Sequence, residues 1–491
     1  MTGVTHDIVL RGARVIDPES GLDGLRDVAV DGGAIARVEL PGAVADGRVD
    51  LDLRGQVVAP GFIDLHSHSL ELAGLWLRVS DGVTTALELE AGALPVAKAY
   101  AQMAERGSPI HYGFSASWAL ARREAFGGKG DPGLTGLLGD VFWQRPGSAA
   151  ERLVMIDAIE RELAEGALGI GILLGYCPEA DASEYAQVAA LAADRQVPTF
   201  THVRELDRID AGLMGAQELV AAAVATGAHM HLCHVNSTSV RHLDDVTALL
   251  DSARAQGLRI TTEAYPYGAG ATAIGASFLA PGALSTLGIE PSDICYLATG
   301  ERPATLARLA DLRAQDPGGM AVIDFLHEDS ADDLAILTRS LLASDAAVAS
   351  DAMPLVFRGQ SGGKADEDSW PVRPDCVTHP RTAGTFARVL RWYVRELEVM
   401  SLPEAIRRST LVPARVLESS VPAMRRKARV QVGADADLVV LDPDKVTDRA
   451  TFDDPCRVSA GIPHVIVDGH FVIRDGLLDT SARPGRPIRT G

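Results

Sequence analysis

Through the middle of the chain, short apolar runs alternate with amphipathic stretches of helical period. The apolar runs begin near Val57, Gly82, Ile110, Ala167, Pro198, His229, Arg259 and Ala346. Between them lie Ala- and Leu-rich segments at 150–164, 183–194, 214–226, 240–256 and 303–315. Eight strands alternating with helices predict a parallel sheet, and eight close a (β/α)8 barrel. A ninth apolar run, Ala321 to Leu326, falls in the long interval before the last strand. The rival architecture is an open doubly wound sheet, but no glycine-rich phosphate fingerprint follows the first strand. No internal repeat is visible.

The two ends of the chain follow another pattern. Ile8-Val9-Leu10, Asp27 to Val30 and Ile35 to Val38 are strand-like and punctuated by Asp31-Gly32-Gly33. Leu438 to Leu441 and Val465 to Val467 repeat the pattern, and Asp468-Gly469 is a hairpin signal before Phe471. Neither end supplies enough strands for a stable sheet alone. The expected organisation is one small β-sandwich domain from residues 1–57 and 420–491, enclosing a barrel at 58–419. The Gly-, Asp- and Pro-rich stretch 359–378 predicts a long loop or lid.

Composition narrows the function classes. Apolar residues make up 47% of 491, enough for a large core, and the formal charge is −20. An acidic surface has no long-range attraction for nucleic acid or anionic lipid. No run approaches the roughly 18 apolar residues of a membrane span. MTGVTHDIVL lacks a basic segment leading into an apolar one, so no secretory signal is expected. The five cysteines are scattered and odd in number, which fits a reducing cytoplasm better than a disulfide framework.

The candidate chemistry gathers where barrel strands end. GFIDLHSHS places His66 and His68 two apart, on one face of an extended segment and at the mouth of a barrel. His202 ends VPTFTHV, His234 ends HMHLCHV and Asp351 ends AAVASD. All are metal-ligand types. His229 and His231 oppose His234 by alternation and are expected to be structural. In VTTALELEAG, Glu88 and Glu90 share a face. Two carboxylates beside a core are costly unless paired, hydrated or metal-bound. At least one is expected to be a ligand, a bridging position between two ions being one option. A bound divalent ion activates water and polarises a carbonyl, and an adjacent aspartate moves the proton. Asp351 is the candidate, and no GxSxG nucleophile elbow competes.

With these residues in place, the chain resembles the amidohydrolase superfamily, and within it the N-acyl-D-amino-acid deacylases. PGFIDLHSH, EAYPYGAGAT (263–272), HPRTAGTFARVLRWYVRE (379–396), LPEAIRRSTLVPARVLE (402–418), GADADLVVLDPDKVTDRATFDDP (433–455) and RPGR (483–486) carry the resemblance over nearly the whole chain. It implies one or two zinc ions and amide hydrolysis. His66 and His68 would serve a first metal position, His202 and His234 a second, and Asp351 proton transfer. Tyr265 would contact the substrate or the oxyanion, and Arg381 would clamp a substrate carboxylate. Three positions depart from the family pattern. The usual metal-binding cysteine after the second strand is missing, with Glu88 and Glu90 nearby. Asn236 stands where lysine is common, and Ala271 where serine is common. The last two point to altered substrate recognition, with Asn236 at the substrate in a larger, less polar pocket. The expected substrate is a small-molecule or short-peptide amide with a carboxylate. A biosynthetic amidohydrolase acting on a modified peptide or secondary metabolite is the nearest alternative, and a metal-free scaffold the remote one.

Overall fold

The computed structural model describes residues 5–130, 132–204, 214–359 and 368–490. Eight parallel strands form the barrel: β1 (Phe62–Asp64), β2 (Val83–Ala93), β3 (His111–Ser117), β4 (Ile170–Leu173), β5 (Pro198–His202), β6 (His229–Leu232), β7 (Ile260–Ala264) and β8 (Ala347–Val348). Each pairs with its sequence neighbour, as right-handed βαβ units require. The wall closes just beyond β1 and β8, where His68 N donates to the Ala352 carbonyl (2.8 Å). Asp64 fixes that closure. Its carboxylate accepts from Ser350 N (3.0 Å), Ser350 Oγ (2.5 Å) and the buried Arg78 guanidinium. The expected barrel is therefore found, with one strand reassigned. Val57–Pro60 is not the first barrel strand. Its four buried residues pair with Leu438–Leu441 on one side and with His6–Asp17 on the other.

That pairing joins the chain ends. A nine-stranded sheet runs from Leu477–Leu478 through His464–Val467, Leu438–Leu441, Val57–Pro60 and His6–Asp17 to Ala34–Glu39. Alternate residues such as Leu10, Val15, Val28, Val30, Val58, Leu438 and Ile466 pack into its own core. The last residues leave this sheet. Tyr112 N donates to Arg486 O (3.2 Å) and Ile488 N to Tyr112 O (2.7 Å), so the RPGR segment lies against the start of β3.

The ninth apolar run is no barrel strand. Met320–Asp324 pairs antiparallel with Ala269–Ala273 and Ile294–Tyr296 in a small sheet inserted between β7 and β8. Part of the expected 359–378 loop lies outside the described residues, and Cys376–Val377 pairs with Val356–Phe357. Among the described residues no helix is long and apolar enough to cross a membrane.

Candidate metal centre

Six of the expected side chains converge at the barrel mouth, and Glu90 is their hub. Its Oε2 lies 3.3 Å from His66 Nε2 and 3.4 Å from His68 Nε2. Its Oε1 lies 3.0 Å from His202 Nδ1 and 2.8 Å from His234 Nε2. The two imidazole Nε2 atoms of His66 and His68 are 3.1 Å apart. Asp351 Oδ1 stands 3.5 Å and 3.6 Å from the same two atoms. Tetrahedral coordination with bonds of ~2.0–2.1 Å separates ligand atoms by roughly 3.3 Å. The Nε2 atoms of His66 and His68 lie near that spacing from one Glu90 oxygen and from one Asp351 oxygen. His202 and His234 each approach the other Glu90 oxygen and offer donors for a second ion.

Local backbone explains how residues from five strands meet. His66 and His68 follow β1, Glu90 lies on β2 and His202 ends β5. Strict alternation along β6 would turn His234 away from the mouth. It adopts φ 32° and ψ 63°, a left-handed turn that swings the ring back toward Glu90. Asp351, beyond β8, has φ 51°. Two non-glycine residues in this sparse region at one site are a cost the surrounding packing must hold. Gly175 allows His202 its place, since a β-carbon there would sit 2.5 Å from His202 Cδ2.

Buried partners set the outer nitrogens. His66 Nδ1 donates to Glu263 Oε1 (2.5 Å), whose other oxygen meets His231 Nε2 (3.2 Å). His68 Nδ1 donates to Glu88 Oε2 (2.7 Å), and Glu88 Oε1 accepts from Ala91 N (3.2 Å). Carboxylates behind histidines fix tautomer and ring orientation at metal sites. His229 pairs with Thr261 Oγ1 (3.0 Å), and burial pushes its pKa down to about 3.

The electrostatics ask for positive charge at the centre. Burial alone would depress the His66 imidazolium, yet Glu90, Asp351 and Glu263 hold it well above the usual range. His68 is likewise pushed up to about 9, against burial, by Glu88 and Glu90. Burial opposes ionisation of Glu90, but His66, His202 and His234 keep it well below the usual carboxylate range. Divalent cations satisfy the same demand with neutral imidazoles. Cys233 faces His66 and Glu263 from the barrel interior. Burial and the Glu263 charge push its thiol up.

Three expected positions differ. Glu88 stands behind His68 rather than between the histidine pairs. Asn236 does not line the cavity: its Oδ1 accepts from Tyr265 N (3.3 Å) and its Nδ2 donates to Tyr267 O (3.4 Å), tying the two strand-end loops together. Arg381 is wholly buried and also absent from the lining. Its Nε donates to Asp351 O (2.6 Å), Nη2 lies 2.7 Å from Asp351 Oδ2, and the guanidinium covers the Tyr265 ring at 4.5 Å. Tyr265 itself lines the cavity, with its phenol pushed up by burial. The cavity at the cluster holds only about 30 Å³. Ala271, Phe278, Ile323 and Phe325 of the inserted sheet region line it. Glu263 was not singled out by sequence. Its signal is the i, i+2 relation between Glu263 on β7 and Tyr265 just beyond it.

Against known proteins, residues 201–473 match the model of the amidohydrolase family. An N-acyl-D-glutamate deacylase of Alcaligenes xylosoxydans xylosoxydans is 30% identical, covering 98% of this chain and 96% of the relative. A D-aminoacylase of the same organism is 28% identical, covering 94% and 93%. Among solved structures, the Bordetella bronchiseptica N-acyl-D-glutamate deacylase, complexed with zinc and a phosphonate mimic of the tetrahedral intermediate, superposes with a TM-score of 0.76. It is 26% identical, with 99% of this chain and 100% of that chain covered.

Proposed function

The chain belongs to the amidohydrolase family, and from that premise we propose that it hydrolyses the amide C–N bond of an N-acylated D-amino acid with two divalent cations, zinc in the first instance. The observation that carries this reading is Glu90, whose two oxygens each face a different histidine pair. His66, His68, Asp351 and Glu90 would hold one ion, and His202, His234 and Glu90 the other. Bound divalent cations supply Lewis acidity and lower the pKa of water.

The rest of the reaction falls to the chain's own side chains. Asp351 Oδ1 faces the His66–His68 pair while Arg381 holds Oδ2, so Oδ1, on the edge of the position those histidines would give to an ion, is the oxygen placed to take a proton from the attacking water and return it to the leaving nitrogen. Tyr265, kept as a phenol by burial, is placed to donate to the developing oxyanion. Ser237 lines the cavity beside Tyr265. Behind Tyr265 the wholly buried Arg381 guanidinium grips the backbone and carboxylate of Asp351 and so orients it. The five free cysteines fit a cytoplasmic enzyme.

The test is amine release from N-acetyl-D-glutamate, -D-aspartate and -D-methionine and their L-counterparts, with metal content measured on the same preparation. Chelator-sensitive turnover of a D-substrate is expected. Metal-loaded protein inert on all D-substrates would overturn the reading.

A further inference from the structure

Two of the four central histidines have a carboxylate behind them. Glu263 takes the outer nitrogen of His66 (2.5 Å) and Glu88 that of His68 (2.7 Å). His234 has a hydroxyl instead: its Nδ1 lies 3.1 Å from Ser237 Oγ. Local backbone dictates that contact. The short helix Val235–Ser239 begins directly after the left-handed turn at His234, and Ser237 stands three residues on, where side chains of a helix meet. Ser237 is half-buried and lines the cavity next to Tyr265. There its hydroxyl is also a hydrogen-bond partner of the Tyr265 phenol.

Counting protons sets the direction of these bonds. With His234 Nε2 turned to Glu90 (2.8 Å) and the ion position, the ring proton is on Nδ1, which can only donate, and Ser237 Oγ accepts it. The Ser237 hydroxyl keeps one proton of its own. Its nearest backbone acceptor is His234 O (3.2 Å), but Ser237 N (3.1 Å) and Thr238 Oγ1 (3.3 Å) already serve both lone pairs of that carbonyl. The remaining acceptor is the Tyr265 oxygen. A phenol that accepts from Ser237 spends none of its own proton there, and that proton is left to face the cavity. We propose that Ser237 is a positioning residue joining two parts of the site: it accepts the outer proton of His234 and donates its own to Tyr265, so that the phenol proton is aimed at the oxygen of the acyl carbonyl. The inference rests on the amidohydrolase reading. No proton passes through the serine; it fixes a ring and a phenol at once. The reversed bond, Tyr265 donating to Ser237, would leave the phenol nothing to give an oxyanion.

Ser237→Ala, Ser237→Thr, Tyr265→Phe and the double variant Ser237→Ala/Tyr265→Phe test this on the purified metal-containing protein. Alanine suits a helical position, so the fold is retained. The first measurement needs no substrate: zinc affinity by competition with a chelator. Ser237→Ala should hold one of its ions at least about 10-fold more weakly, as when other partners of metal-bound histidines are lost, and Ser237→Thr should recover wild-type affinity. The second is kcat and KM for the fastest N-acetyl-D-amino acid at saturating zinc. Ser237→Ala should lower kcat at least about tenfold, part of the roughly 10²–10³-fold that an oxyanion donor supplies, with KM little changed. In the Tyr265→Phe background the same substitution should cost less than about twofold, because its effect runs through the phenol. Unchanged zinc affinity in Ser237→Ala would overturn the proposal whatever the turnover. So would a kcat that holds or rises, the mark of the reversed bond, or equal losses with and without the Tyr265 hydroxyl. Zinc loss in Ser237→Ala, recovered in Ser237→Thr, with no amide turned over by wild type would keep Ser237 as the positioning residue of His234 and remove the amidohydrolase reading. Wild-type turnover with zinc affinity and kcat both unmoved by Ser237→Ala would do the reverse.

Discussion

Two neighbouring glutamates with the same inward orientation have different tasks, and the difference is testable. Glu90 meets all four histidines, whereas Glu88 meets the outer nitrogen of His68 and the backbone N–H of Ala91. Glu90→Gln is expected to lose metal from both positions, because each set gives up a charged donor. Glu88→Gln should keep the stoichiometry but weaken affinity by about 10–100-fold, as for other partners of metal-bound histidines. Elemental analysis after dialysis against graded chelator separates the two, and equal behaviour would remove Glu90 from the bridging role. The Asp351–Arg381 pair makes a second case. Asp351→Asn should keep the fold and lose roughly 10²–10⁴-fold in kcat. Arg381, gripping both the backbone and the carboxylate of Asp351, is a positioning residue, so Arg381→Ala should depress kcat more than it raises KM. A change confined to KM would instead make Arg381 a carboxylate clamp.

At the level of strands and turns, alternation along β1 and β2 made His66, His68, Glu88 and Glu90 visible as inward pairs. It could not rank the two glutamates, because both face inward and only the three-dimensional placement of β5 and β6 shows which one the other histidines reach. Alternation set His229 and His231 opposite His234, yet His231 reaches the Glu263 that backs His66 while His234 turns to Glu90, since a left-handed residue after a strand leaves no mark in a hydrophobic pattern. The insert between β7 and β8 was legible only as one surplus apolar run, Ala321 to Leu326, because its strands pair with each other and not with the barrel. The turn after β4 carries a sharper consequence. Gly175 leaves no room for a β-carbon beside His202. Gly175→Ala should displace that ring and lower occupancy of the His202–His234 position alone, giving about half the metal of wild type. Undiminished metal content would mean that the turn yields and the ring stays.

For the whole molecule, the seam between the terminal sheet and the barrel is built from charge as well as from apolar packing. Asp437, just before Leu438–Leu441, accepts from His111 Nε2 (2.9 Å) at the start of β3 and from the buried Lys427 Nζ (2.6 Å). The C-terminal segment completes the junction, with Arg486 N donating to His111 Nδ1 (3.1 Å). Sequence patterns placed both chain ends in one sheet, but a contact between residues 111, 427, 437 and 486 depends on how that sheet docks on the barrel. Burial alone would raise the Asp437 pKa, yet His111 and Lys427 hold it far below the ordinary carboxylate range. An unfolded aspartate titrates near 3.9. The folded protein therefore keeps this carboxylate ionised while the unfolded chain takes up a proton, and the stabilisation present above about pH 4 declines as pH falls below it. Asp437→Asn removes that contribution and leaves Lys427 buried with only Asp435 nearby (3.2 Å). Breaking a buried pair in this way costs on the order of 3 kcal/mol. Urea unfolding at pH 7 should show a clearly lower midpoint for the variant, and the gap to wild type should narrow as pH is lowered through 4 toward 3. A constant gap across that range would mean that the seam is held by packing and not by the ionised Asp437.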